Sequence, residues 1–137
     1  MLHPDRVVRS TCPYCGVGCQ LDLHVREGRI VKVTGAEQGL PNRGRLCVKG
    51  RYGYDFIYSK DRLKTPLIKE NGEFREASWD EALDLVASKF KEIIEKHGPD
   101  AVAGVSCARS TNEDSYQMQK LFRAVFKTNN IDHCART

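Results

Sequence analysis

Two kinds of hydrophobic spacing divide the chain. In the first part, apolar and polar residues alternate. Leu21, Leu23 and Val25 are separated by Asp22 and His24, a period of two that predicts a half-buried strand. Arg29-Ile30-Val31-Lys32-Val33-Thr34 predicts its partner, with Glu27-Gly28 as the turn of a hairpin. Arg6-Val7-Val8-Arg9-Ser10-Thr11 predicts a short strand ahead of them. A loop rich in Gly and Asn runs from Gly35 to Gly44, and a short helical turn is expected between Gly50 and Tyr58. Arg51, Tyr52 and Tyr54 fall within that turn, and Lys60-Asp61-Arg62 marks a polar boundary after it.

Beyond the boundary the spacing lengthens. Leu67-Ile68-Lys69 and Glu73-Phe74-Arg75 flank Asn71-Gly72, a strong hairpin signal. Ser78 with Glu81 three residues later reads as a capping box that opens a helix, and Asp80-Glu81 place negative charge at its positive end. Ala82, Val86, Phe90, Ile93 and Ile94 form a stripe at helical spacing, ended by Gly98-Pro99. Ala101 to Ser106 is a continuous apolar run, as a buried parallel strand requires. Ser110 and Glu113 predict a second capping box. Tyr116, Met118, Leu121, Phe122, Val125 and Phe126 would be the apolar side of that second helix. Asn129-Asn130 breaks it, and Ile131 starts another strand, which by the βαβ rule pairs in parallel. The expected fold class is therefore α+β passing into α/β. A small β-rich domain covers residues 1–62, and the incomplete start of an α/β domain covers 63–137. Such an opening unit leaves an open strand edge and an uncovered apolar face.

The candidate chemistry lies in the cysteines. Cys12, Cys15 and Cys19 follow the spacing C-x2-C-x3-C, and Cys47 comes after 27 further residues. Three thiols on one short loop, with Gly16 and Gly18 to let it curl, can converge on one small object. Four thiolates are the usual ligands of a [4Fe-4S] cluster. A structural zinc site takes four cysteines too, but typically as two separated C-x2-C knuckles. A disulfide framework would need an oxidising compartment, and no secretory signal is visible. Buried free cysteines are the fourth reading. Cys107 follows the apolar run and reads as a buried small hydrophobe, whereas Cys134, with His133 beside it, stays open as a metal ligand or nucleophile. His3, His24 and His97 show no ligand spacing. Lys49, two residues after Cys47, is a solvated lysine on base rates alone.

Composition narrows the classes. The chain has 137 residues, enough for one domain or one small domain plus part of another, and 40% of them are hydrophobic. With 22 basic and 18 acidic residues, the net charge of +4 is too mild to point to nucleic acid. No apolar run reaches the roughly 18 residues of a membrane span. The expectation is a cytoplasmic protein with reduced cysteines.

The residues around the thiols carry a resemblance. Cys12-Pro13-Tyr14-Cys15-Gly16-Val17-Gly18-Cys19 followed by Cys47-Val48-Lys49-Gly50 resembles the iron–sulfur segment of the molybdopterin oxidoreductases, which include formate dehydrogenases and nitrate reductases. Thr65-Pro66-Leu67-Ile68 and Ala77-Ser78-Trp79-Asp80-Glu81-Ala82 extend the match. The run from Ser110-Thr111-Asn112-Glu113-Asp114 through Thr128-Asn129-Asn130-Ile131-Asp132-His133-Cys134-Ala135-Arg136 resembles the formate dehydrogenase catalytic subunit in particular.

The resemblance implies that Cys12, Cys15, Cys19 and Cys47 hold a [4Fe-4S] cluster. Lys49 becomes the relay between that cluster and the pterin, and the second domain becomes the start of an α/β/α pterin-binding domain. The complete enzyme would carry a bis-molybdopterin guanine dinucleotide with molybdenum or tungsten and interconvert formate and carbon dioxide. Its partners would be the remainder of the catalytic subunit and an iron–sulfur electron-transfer subunit, with a hydrogenase or an NAD(P)-reducing module beyond. A nitrate reductase or another member of the superfamily, and a stand-alone iron–sulfur electron carrier, are the competing expectations. Arg136 would sit beside the active site, either facing the pocket or in a structural ion pair.

The family pattern also implies a cysteine or selenocysteine metal ligand immediately after Thr137, followed by histidine, and that placement leaves Cys134 structural. Selenocysteine is encoded by UGA, so a frame read by the ordinary code would end there. Sequencing the gene through the Thr137 codon checks this: a UGA followed in frame by a histidine codon is expected, and UAA or UAG ends the idea.

Overall fold

A computed structural model of the chain describes residues 3–134. The alternating segments form a three-stranded antiparallel sheet in the order β1 (Arg6–Thr11), β2 (Gln20–Arg26), β3 (Arg29–Gly35). The central strand β2 buries Leu21 and Val25, as its period of two requires, while β1 is exposed along its length and acts as an edge. Glu27 and Gly28 both take positive φ, at 50° and 74°, the two-residue turn whose twist matches a hairpin. The core beneath the sheet is small: Cys12, Leu21 and Val33, with Tyr14, Cys19, Leu23, Ile30, Leu46 and Tyr54 packed around them.

The loop after β3 leads to the short helix α1 (Val48–Tyr52) and a 3-10 turn, Asp55–Tyr58. Tyr58 docks that turn on the sheet, accepting a hydrogen bond from the Ile30 amide at 2.6 Å while Arg29 stacks on its ring.

The second part begins with the hairpin β4 (Leu67–Glu70) and β5 (Glu73–Glu76), turning through Asn71 and Gly72 at φ 53° and 92°. Ser78 caps α2 (Trp79–His97), its Oγ accepting from the Glu81 amide at 3.1 Å. The expected reciprocal half of this box is replaced. The Glu81 carboxylate turns to Arg75, which also holds Glu70 at 2.7 Å and so ties the hairpin to the first turn of the helix. Hydrogen bonds from Arg75 keep both carboxyls below the usual carboxylate range. Gly98, at φ 84°, ends α2.

The apolar run 101–106 is only partly strand. Pro99–Ala101 winds into a 3-10 turn, leaving β6 as Gly104–Ser106. The ring of Phe122 lies where a Cβ on Gly104 would stand, 2.5 Å from that point, so glycine there is a packing requirement. The second cap falls one residue later than its sequence signal. The Ser110 hydroxyl donates to the Cys107 carbonyl at 2.7 Å, so Thr111 and Asp114 form the capping box of α3 (Asn112–Lys120) instead. The helix continues as a π turn, Leu121–Phe126, and Lys127 stops it at φ 64°. Strand β7 (Ile131–His133) then pairs with β6 in parallel, with Gly104 opposite Ile131 and Ser106 opposite His133.

The fold class is thus a small β-rich region followed by the opening of an α/β layer. Among the described residues, no helix is long and apolar enough to cross a membrane.

The apolar stripes of α2 and the π turn face a groove of about 610 Å³, lined by Leu83, Val86, Phe90, Ile94, Val125 and Phe126. Val86 and Val125 are 52% and 63% exposed, so these residues are not yet a core. The isolated 137-residue chain is therefore expected to bind a hydrophobic dye strongly and to aggregate. Substituting Val86→Glu and Val125→Lys together should raise its soluble yield several-fold. A monodisperse, cooperatively melting wild-type monomer would refute the expectation.

Candidate metal centre

Residues 12–19, with Cys12, Cys15 and Cys19 among them, form the loop of a hairpin. Thr11 of β1 is paired with Gln20 of β2, and the Cys12 amide extends that ladder by bonding the Cys19 carbonyl at 2.8 Å. The ends of the loop are thus clamped, and its interior has to bulge. Gly18 supplies the left-handed residue at φ 70°, a conformation that side chains avoid. Gly16 serves a different purpose. A Cβ there would come 2.5 Å from Asn112 Oδ1, and the Asn112 amide donates to the Gly16 carbonyl at 2.7 Å. The first residue of α3 therefore holds the thiol loop from outside.

Cys47 arrives from the other side. Asn42, 8% exposed, stitches its loop to the start of β2. It accepts from the Gln20 amide at 2.9 Å and donates to the carbonyls of Gln20 at 3.1 Å and Arg45 at 3.0 Å. That anchor lies one residue after Cys19. Gly50 completes the approach: a Cβ on it would be 3.4 Å from Cys12 Sγ, so α1 lies directly on the first thiol. Tyr14 closes the same side by donating its hydroxyl to the Gly53 carbonyl.

Electrostatically, the Cys19 thiol senses the other three. Burial pushes the Cys19 thiol up, and the neighbouring Cys12, Cys15 and Cys47 add to the shift. Cys47 is pulled down by the amides of Gly50 and Lys49 and by the Lys49 ammonium. Among the described residues, no three His, Cys, Asp or Glu side chains stand close enough for one metal ion. A cubane makes another demand, since each iron takes its own thiolate and the sulfurs surround a larger object. Lys49 is exposed on α1.

The remaining candidates fall elsewhere. His24 bonds Thr34 Oγ1 at 2.9 Å across the sheet, a structural use. Cys107 is exposed, against the expectation of burial, because β6 ends at Ser106 and leaves it on the loop beyond. It stands 3.7 Å from Cys134, sulfur to sulfur. A crevice of about 520 Å³ opens beside it, lined also by Ser106, Ser115, Gln119, Arg123 and Ile131, at the carboxyl ends of β6 and β7. Arg136 lies outside the described residues.

Sequence reasoning missed Asn42, Asn112 and the Cys107–Cys134 pair. Only the density of Asn in the loop hinted at the first. Asn112 acts 96 residues from its partner, a separation at which no local pattern speaks. Gly16→Ala would swing Asn112 away and cost one hydrogen bond, about 1 kcal/mol. Gly16→Ala and Asn112→Ala should each speed amide exchange across residues 12–19 to a similar degree in the holo protein. The double variant should add nothing further; additive effects would show that the two residues act separately.

Two family models match. Residues 5–59 match the Fe4S4 domain of the molybdopterin oxidoreductases, and residues 62–137 match the molybdopterin oxidoreductase domain that follows it. The chain is 55% identical to the F420-dependent formate dehydrogenase 2 subunit alpha of Methanococcus maripaludis, over 96% of this chain and 19% of that one. It is 49% identical to the F420-dependent formate dehydrogenase 1 subunit alpha of the same organism, over 94% of this chain and 18% of that one. The chain spans about a fifth of the length of these curated relatives. A thiol-bearing β-rich unit followed by the start of an α/β layer, matched end to end by these models, makes the chain a member of the molybdopterin oxidoreductase family, whose cofactors are a [4Fe-4S] cluster and a molybdopterin.

Proposed function

We propose that this chain forms the electron-exit end of a formate dehydrogenase alpha subunit, which interconverts formate and carbon dioxide. The carrying observation is the thiol cradle: three cysteines on one clamped hairpin loop, with the helix after the fourth laid against the first. The likeness to formate dehydrogenase alpha subunits supplies the substrate.

In this reading Cys12, Cys15, Cys19 and Cys47 hold the cluster. The donor set fits it: four thiols, with the amides of Gly50 and Lys49 directed at the Cys47 sulfur. When bound, the [4Fe-4S] cluster takes up and releases single electrons. The chain's own residues set the conditions for that. The sheet fixes Cys12 and Cys19 in register. The amides of Gly50 and Lys49 stabilise negative charge on the Cys47 sulfur. Lys49 adds a cation beside the cradle, which favours an added electron there and suits the relay role toward a pterin. The boundary near residue 62 then separates the cluster domain from the start of the pterin-binding domain. The remainder of the catalytic subunit holds the bis-molybdopterin guanine dinucleotide with molybdenum or tungsten. A cytoplasmic iron–sulfur subunit accepts the electrons.

The test uses the anaerobically purified enzyme that contains this chain. Formate should drive reduction of a viologen dye; nitrate-driven oxidation of the reduced dye, without formate activity, would assign the chain to another branch of the superfamily. Cys47→Ser should lose cluster iron and its low-temperature EPR signal. Lys49→Gln should keep both. It removes the positive charge beside the Cys47 sulfur, so formate-dependent rates should fall about ten- to hundred-fold. Unchanged rates in that variant would remove Lys49 from the electron path.

A further inference from the structure

Cys107 and Cys134 lie outside the cradle, and nothing in the function above uses them. Strands β6 and β7 pair in parallel, with Ser106 opposite His133. Cys107 and Cys134 are the next residues, just past the paired ends of the two strands. The last pair before them belongs to strands that run about 4.8 Å apart, and a disulfide spans Cα separations of about 4.4–6.8 Å. The two sulfurs are 3.7 Å apart.

Both sulfurs also meet backbone donors. The Ala108 amide reaches Cys134 Sγ at 3.4 Å, and the Arg109 amide reaches Cys107 Sγ at 3.3 Å. Both cysteines are exposed, and Cys107 borders the crevice at the carboxyl ends of the strands. From this geometry we infer that Cys107 and Cys134 are a redox-active dithiol, a modification site at which low-molecular-weight disulfides form a reversible Cys107–Cys134 cross-link.

The chemistry balances in two exchanges. The Cys134 thiolate attacks one sulfur of a small disulfide RSSR. That S–S bond breaks, a Cys134–S–S–R mixed disulfide forms, and one RS⁻ leaves. The Cys107 thiolate then attacks Cys134 Sγ and expels the second RS⁻. Two protein thiols lose two electrons and two protons, and the oxidant becomes two RSH. Cys134 is the first attacker because the Ala108 amide, the Cys107 thiol and the Arg109 charge pull its thiol below the ordinary value. The cross-link would lock the three-pair β6–β7 ladder at the end where the loop to α3 begins.

The test is oxidation of the anaerobically purified holoenzyme with oxidised glutathione, followed by alkylation and tryptic mapping. Cys107 falls in peptide 97–109 and Cys134 in peptide 128–136. These two should appear joined, at least tenfold above any link to Cys12, Cys15, Cys19 or Cys47, and dithiothreitol should release them. Cluster iron should stay unchanged, which keeps this outcome separate from that of the cradle. In Cys107→Ser the second exchange is impossible, so peptide 128–136 should accumulate as a glutathione adduct. Wild-type peptides that remain free thiols, or that carry separate glutathiones without joining, would overturn the inference.

Discussion

Gathering four thiols is electrostatically unfavourable, because each ionised sulfur makes the next harder to ionise. The Cys19 thiol is raised first by burial, and the neighbouring Cys12, Cys15 and Cys47 add that cost. Everything in the first part of the chain can be understood as the restraint that holds the thiols together. Strands β1 and β2 bring Cys12 and Cys19 opposite each other. Asn42 fastens the Cys47 loop to the residue that follows Cys19. Gly50 lets α1 lie on Cys12 without a side chain between them. Opposing the repulsion, backbone amides converge on the Cys47 sulfur. A bound cluster would complete the compensation, since its irons neutralise the thiolates that the backbone has placed.

This arrangement explains why so small a core suffices. Among the described residues, Cys12, Leu21 and Val33 form the buried cluster of the β-rich region, and Val25 and Ala36 are the other buried apolar side chains there, far fewer residues than a free-standing domain of this size needs. Metal binding can supply the folding free energy that apolar burial does not. The second part contributes to the cradle through Asn112, which braces the thiol loop at Gly16. The second unit thereby supplies a residue to the functional element of the first. The open groove on α2 and the π turn belongs to the same logic: its apolar side is built for company, in keeping with relatives some five times longer.

Much of this was legible in the residues. Period-two alternation named β2 and β3, and Glu27-Gly28 and Asn71-Gly72 named their turns, because positive φ at consecutive positions is open to few residues. The cysteine spacing named the candidate ligands, and the neighbouring Pro, Tyr and Gly carried the family resemblance. Caps were legible only to within a residue. The sequence pointed to Ser110, and the cap fell on Thr111 because the Ser110 hydroxyl donates to the Cys107 carbonyl. Glu81 similarly left its box for Arg75, a partner supplied by the preceding hairpin.

What the sequence by itself determined, then, is whatever depends on neighbours along the chain: strand period, turn chemistry, ligand spacing, and a helical stripe that must face something. What only the tertiary structure decided is whatever depends on distance in space. It assigned Gly16 to Asn112 rather than to positive φ. It made Asn42 the anchor of the Cys47 loop. It shortened the apolar run at Gly104 under the ring of Phe122, and that register alone set Cys107 beside Cys134. Local preference is summed over a few bonds, whereas these contacts join residues from 18 to 96 positions apart. Their partners become visible only once the chain has closed on itself.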